Sequence, residues 1–387
     1  MQIEVYSPTI RRKEMDAVLT AMVEDKIGPG EQSKFLVQTA REKIKYDYCL
    51  ALRSPAIALY MALKALNLEK GQGVIISALS PLYYARVIED LGLSAIYSDV
   101  LSLTACISRE TVEKAIASKS ADARCIVLHH ALGYISDGAA IAELGIPIIE
   151  DCSRSYGTIF ADDKGGEDAA ANTNTATNAA GGTMPAAAPP CGGNGVFTIL
   201  GLEERDMLTS GGGALLYSAN RRDAAALRGL GNLPPEFGLP DMNAALAIVQ
   251  FREAAKNLLK RREIARLYTQ SALRTRHKMF VQNDVLAVGA QSPGGDDSPA
   301  KLAVEYNNYA FPLILETGMK DVKTYARRKE IEVENAFENT LAGSGLILAE
   351  QCPEAYSLSL RTVLFPIYPR LRMADAEKVA KLILTLP

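Results

Sequence analysis

The sequence predicts an α/β protein, with a large domain built on a mostly parallel sheet and a smaller α+β domain after it. Three observations carry this. Short apolar runs bounded by Gly, Pro or charge recur as GVIISAL, SAIYSDV, RCIVLHHAL and IPIIEDC between residues 73 and 152. Stretches with helical spacing separate these runs, and strands alternating with helices mean βαβ units. The chain has 387 residues, a length that favours two domains or one large and one small.

In chain order, residues 10–25 and 33–45 have helical periodicity, and Ala56–Leu68 has apolar residues on nearly every turn. The four apolar runs follow as strands. In sheets of this kind ligands bind beyond the carboxyl ends of the strands, and Asp151 and Cys152 sit at one such end. Residues 162–195 are rich in Ala, Gly, Asn, Thr and Pro and are expected to form a mobile loop, with residues 165–194 open to protease. GVFTIL and GGGALLYS resume strand character. A long amphipathic helix is expected over Met242–Leu273, with the domain division inside it, giving residues 1–250 and 251–387. After a second loop, GAQSPGGDDSP, the α+β ending has YAFPLIL and TVLFPIYP as strands, with VKTYARRKE and ADAEKVAKLIL as helices.

Composition excludes several classes. The chain is 48% hydrophobic and 22% charged with net charge −3, so nothing favours nucleic acid or an anionic membrane. No apolar run reaches the roughly 18 residues of a membrane span. The opening MQIEVYSPTIRRKEMD lacks an apolar signal core, and the six scattered cysteines form no CxxC pair. Reduced thiols, a cytoplasmic setting and no metal site are the expectation. His129 and His130 are adjacent on a strand and point to opposite faces, a poor metal pair.

Six segments resemble one family in order and spacing. SPAIALYMALKALNLEKGQGVIIS is similar to SGTAALHLAL…GDEVI, LHHALGYISD to HLYGxxxD, and IPIIEDCSRSYGTIF to VIEDAAQAHGA. GVFTIL with GGGALLYS is similar to FSF…K…EGG, DMNAALAIVQF with KRREIARLY to RMxxxQAALGLxQL…RR, and LFPIYPRLRMADAEKVAKLI to LPLYPxLTxxEVxxV. These motifs are those of the DegT/DnrJ/EryC1/StrS aminotransferases, pyridoxal-phosphate (PLP) enzymes of fold type I that act on nucleotide-linked keto-sugars. The resemblance implies a seven-stranded sheet in the large domain, a smaller C-terminal domain, and a homodimer with its sites at the interface.

PLP transamination needs a lysine amine, an acid at the pyridine nitrogen, a phosphate cup and a flat group on the ring. By resemblance, Asp151 takes the place of the pyridine-binding aspartate, and Thr198 that of the phosphate-binding serine. The lysine position is Glu203 by ungapped count, or near Arg205 counted back from the glycines, and GLEERDMLTSGGG contains no lysine. Neither a carboxylate nor a protonated guanidinium forms an imine. The SGT cup reads Ser54, Pro55, Ala56, which removes an amide proton and a hydroxyl. The ring-stacking position is Pro81, with Tyr83 or Tyr84 nearby as substitutes or as ordinary packing. The glutamine facing the cofactor hydroxyl is Arg154, the asparagine reaching across the dimer falls near Leu239, and the arginine after it is Asp241. His130 matches the histidine of HLYG and is expected to be a satisfied histidine at a strand end.

The expectation is a non-catalytic homologue, linked to nucleotide-sugar or surface-polysaccharide biosynthesis, with PLP expected from the family but doubtful at this site. It would keep the homodimer and bind a nucleotide-sugar ligand or an active paralogue subunit. The alternatives are an active aminotransferase with a rearranged site and a PLP-independent enzyme on a sugar nucleotide using Glu203, Glu204 or Arg154. Arg154 is expected to point into the old cofactor site and to pair with Asp151, directly or through one side chain or water.

Overall fold

A computed structural model describes residues 2–118, 122–161, 193–281, 285–286, 301–316 and 318–387. The loop expected over 162–195, with its protease-sensitive span 165–194, lies outside the described residues apart from 193–195, and GAQSPGGDDSP lies outside them entirely.

Two helices open the chain, α1 (Arg12–Val23) and α2 (Glu31–Arg41), followed by β1 (Tyr48–Leu52) and α3 (Pro55–Ala65). Ser54 caps α3 by accepting the Ile57 amide at 3.2 Å, and Pro55 takes the first helical position, where its missing N–H is not needed. Then come β2 (Gly73–Ser77), α4 (Leu82–Asp90), β3 (Ser94–Ser98), α5 (Arg109–Ser118), β4 (Ala123–His129), α6 (Gly138–Ala142) and β5 (Ile148–Asp151). Next are β6 (Ile159–Ala161), β7 (Phe197–Gly201), β8 (Ala214–Ser218) and α7 (Arg221–Gly229).

Seven strands form one sheet in the order β1-β8-β7-β5-β4-β2-β3. The five from β7 to β3 are mutually parallel, and β8 runs antiparallel to both β7 and β1. Every residue of β2, β5, β7 and β8 is buried, which is why these runs read as continuously apolar and not alternating. The large α/β architecture and the seven-stranded sheet are as the sequence led one to expect.

The 32-residue α8 (Asp241–Ala272) connects to the C-terminal part. There follow β9 (Val285–Leu286), β10 (Lys301–Glu305), β11 (Phe311–Ile314), α9 (Met319–Arg328), β12 (Glu334–Asn335), α10 (Pro353–Arg361), β13 (Thr362–Phe365) and α11 (Met373–Leu384). Strands β11, β13 and β12 make one small sheet, and β6, β10 and β9 another. Two cores share α8. Its Ala244, Ala247, Ile248 and Phe251 pack with Leu36, Leu200, Leu215 and Leu239, whereas Ile264, Ala265 and Tyr268 pack with Leu313, Phe365 and Ile383.

Candidate functional site

At the carboxyl end of β5, Asp151 is almost fully buried and is surrounded by hydroxyls. Its Oδ1 accepts the Ser153 amide at 2.9 Å and the Ser153 hydroxyl. Its Oδ2 accepts the Tyr84 hydroxyl, and the Tyr83 hydroxyl lies 3.5 Å away, a long contact. A carboxylate has about four lone-pair sites, so these donors use nearly all of its capacity. Burial, and then the Asp151 charge, raise both tyrosine pKa values well above their ordinary range, so both phenols remain donors. The two rings meet edge to face at 4.9 Å, and Tyr84 meets His129 the same way at 5.9 Å.

His129 completes this cluster. It is buried, its Nδ1 lies 4.0 Å from Asp151 Oδ2, and neither ring nitrogen has a hydrogen-bond partner among the described residues. Burial pushes its pKa down to about 3, against the pull of Asp151. The ring is therefore neutral.

Ser153 ties Asp151 to the next strand, because its hydroxyl accepts the Gly201 amide at 2.7 Å. Any side chain at Gly201 would collide with that hydroxyl and with the Asp206 carboxylate. Asp206 in turn accepts the Glu203 amide at 2.9 Å. Burial raises its pKa to about 7, with Arg154 acting in the opposite direction. Asp206 and Ser153 are site residues that carry no sequence signal. Ser153 bonds Asp151 from two residues away, and Asp206 is found only once the loop after β7 folds back on the strand end.

Of the two forms expected for the pairing of Arg154 with Asp151, direct or bridged by one side chain or water, the direct one is not present among the described residues. The Arg154 guanidinium lies over the Tyr309 ring, 5.5 Å from the centroid. Burial works against its charge, but Tyr309, Asp206 and Asp151 outweigh it and hold the pKa above the ordinary value. The physical reason for the difference is that hydroxyls already satisfy Asp151 and leave little for a guanidinium to gain. Glu203, at the lysine position, is half-buried. It receives the Gly213 amide at 3.5 Å, and burial raises its carboxyl pKa. Arg205 turns outward to Glu334 at 2.7 Å, with its guanidinium over Tyr6.

The other sequence-derived positions have structural occupations. Ser54 spends its oxygen on the α3 cap. Thr198 is buried in mid-strand, paired with Glu150, while Asp151 pairs with Ile199. Strand alternation therefore puts Thr198 and Asp151 on opposite sheet faces. Pro81 is the residue before α4 and bridges to Thr340. Leu239 is core, packed over Gly213. Asp241 accepts the amides of Gly30 and Ser33, each at 2.9 Å, and so caps α2 from the far side.

On the sheet face opposite Asp151, the buried His130, Glu150 and Cys152 bring ligating atoms within 4.8 Å of one another. The hydrogen bonds argue against a metal. The Ser136 amide donates to His130 Nδ1 at 3.3 Å, which puts the ring proton on Nε2, facing Glu150 at 2.9 Å. That nitrogen would have to lose its proton to bind an ion. His130 is the satisfied strand-end histidine expected from sequence.

This architecture defines a fold-type I, PLP-transferase-like protein. Within that class, residues 8–176 match the model of the DegT/DnrJ/EryC1/StrS aminotransferase family, the family that the sequence motifs resemble. The aminotransferase TlmJ from Streptoalloteichus hindustanus superposes with a TM-score of 0.76 at 17% identity, covering 98% of this chain and 97% of that one. A DegT DnrJ EryC1 StrS aminotransferase from Brucella abortus gives 0.73 at 18%, covering 96% and 94%. A GDP-4-keto-6-deoxymannose-3-dehydratase (ColD) with bound GDP-perosamine gives 0.74 at 14%, covering 98% and 100%. At these identities the superpositions establish the fold, and the fold alone does not fix the chemistry.

PLP does not fit the residues present. The acid that would face the pyridine nitrogen has its acceptor sites taken, the loop that would supply the amine has none, and Pro55 replaces an amide donor of the phosphate cup.

Proposed function

We propose that this chain is a non-catalytic homologue of the sugar aminotransferases, retaining their fold and a homodimeric assembly in a nucleotide-sugar or surface-polysaccharide setting. The single observation behind this reading is that residues 202–213 contain no lysine, with Glu203 and Arg205 at the two positions an alignment allows. No side chain there can form an imine. The fold neighbours supply the sugar-nucleotide context, since the dehydratase is recorded with GDP-perosamine.

Incubation with PLP, borohydride reduction and mass spectrometry test the reading. The expected result is a colourless protein with only scattered, sub-stoichiometric pyridoxyl-lysine. A stoichiometric adduct on one lysine near Asp151 would overturn it.

A further inference from the structure

We propose that Tyr84 is a built-in occupant of the cofactor-ring position, a phenol bonded to Asp151 where a bound pyridinium would bond, so that removing it uncovers a latent site for small donor-bearing aromatic rings. This rests on the reading of Asp151 as the ancestral pyridine-binding acid.

Four observations carry it. Tyr84 is fully buried and is among the largest side chains with no exposure. Its hydroxyl is the close donor to Asp151 Oδ2, since the Tyr83 hydroxyl is at 3.5 Å and the Ser153 donors both go to Oδ1. Its ring has aromatic neighbours edge-on, Tyr83 at 4.9 Å and His129 at 5.9 Å, the surroundings of a flat six-membered ring. His129 is buried with both nitrogens unpartnered, so an adjacent polar group stands ready to face whatever ring takes that space.

The chemistry that recognises the ring follows from these neighbours. A carboxylate with one open lone pair selects a ring carrying an O–H or N⁺–H donor, and the aromatic walls select flatness. A neutral ring of the same shape would gain only the packing. Phenols and protonated pyridines are therefore the ligand class, and phenol itself, the group that Tyr84→Ala removes, is the simplest member.

The experiment is chemical rescue of the full-length chain. Tyr84→Ala should bind phenol and pyridinium in preference to benzene by about tenfold or more, the worth of a hydrogen bond to a charged acceptor. Wild type should bind none of the three. Equal affinity for benzene would show that Asp151 does not select the ring, and wild-type binding of the same strength would show that Tyr84 does not fill the site. Either outcome overturns the proposal.

If Tyr84→Ala does not fold, Tyr84→Phe keeps the ring and removes only the donor. Its unfolding constant should rise about tenfold in the native background and much less beside Asp151→Asn, because the two residues are coupled. Equal effects in both backgrounds overturn the proposal as well. A stoichiometric pyridoxyl-lysine in wild type would instead refute the non-catalytic reading. The ligand-binding series reads the Tyr84 proposal separately.

Discussion

His129 and Asp206 titrate in opposition across mildly acidic pH. His129 is held near 3 against an ordinary value of 6.5, so between these values the unfolded chain binds a proton the folded one refuses. Its contribution to stability is present above about 6.5 and is lost as pH falls toward 3. Asp206 is raised from 3.8 to about 7, so in that window the folded chain keeps a proton the unfolded one has released. Its contribution is lost as pH rises from about 4 to 7, and over the shared range the two slopes offset each other. Asp206→Asn removes one of them. Urea unfolding at pH 4.5 and 6.5 should then show stability rising more steeply with pH than in wild type, by up to about 1.4 kcal/mol per unit. Parallel profiles would contradict the assignment. Arg154 is the group that most restrains Asp206, so Arg154→Gln should move the Asp206 titration further up, as read by carboxyl NMR. An unchanged value would mean that the guanidinium does not face Asp206.

At the scale of elements, Asp241 shows how a position can change occupation. Where the resemblance places an arginine, this carboxylate caps α2 through the amides of Gly30 and Ser33. Asp241→Ala should destabilise the chain by about 1–2 kcal/mol in equilibrium unfolding, the usual range for losing a cap. A change below about 0.5 kcal/mol would mean that water replaces it without cost. The sequence could not announce this cap, because its partners lie 211 and 208 positions away. Local signals were legible. The apolar spacing from Ala56 marks α3, and the apolar runs at Gly73, Ser94, Ala123 and Ile148 are strands. β1 was not, because YCLAL is short and becomes a strand by pairing with β8. The candidate site divides in the same way. Asp151 and the missing lysine could be read along the chain, and Ser153 is only two residues on, whereas the Tyr84 hydroxyl comes from a helix 67 positions away that meets Asp151 only in three dimensions.

For the whole molecule, the expected assembly is a dimer. On α1, Met15, Leu19, Met22 and Val23 are each more than half exposed and fall at helical spacing on one side. Such a stripe suits a two-fold contact with a second copy. Light scattering at micromolar concentration should give a dimer, and Leu19→Lys with Met22→Lys should shift it toward monomer. A wild-type monomer would contradict the assembly, and an unchanged dimer in the double variant would place the contact elsewhere.

The 32-residue helix α8 has a thermodynamic consequence. About 48 Å of continuous helix is anchored at one end in the core under the large sheet and at the other in the C-terminal core. Neither core can melt without fraying half of the rod that the other needs, so the two lose their order together. Calorimetry should record one endotherm with equal calorimetric and van't Hoff enthalpies per cooperative unit. A helix-breaking Pro at Lys256, between the anchors, should split it into two.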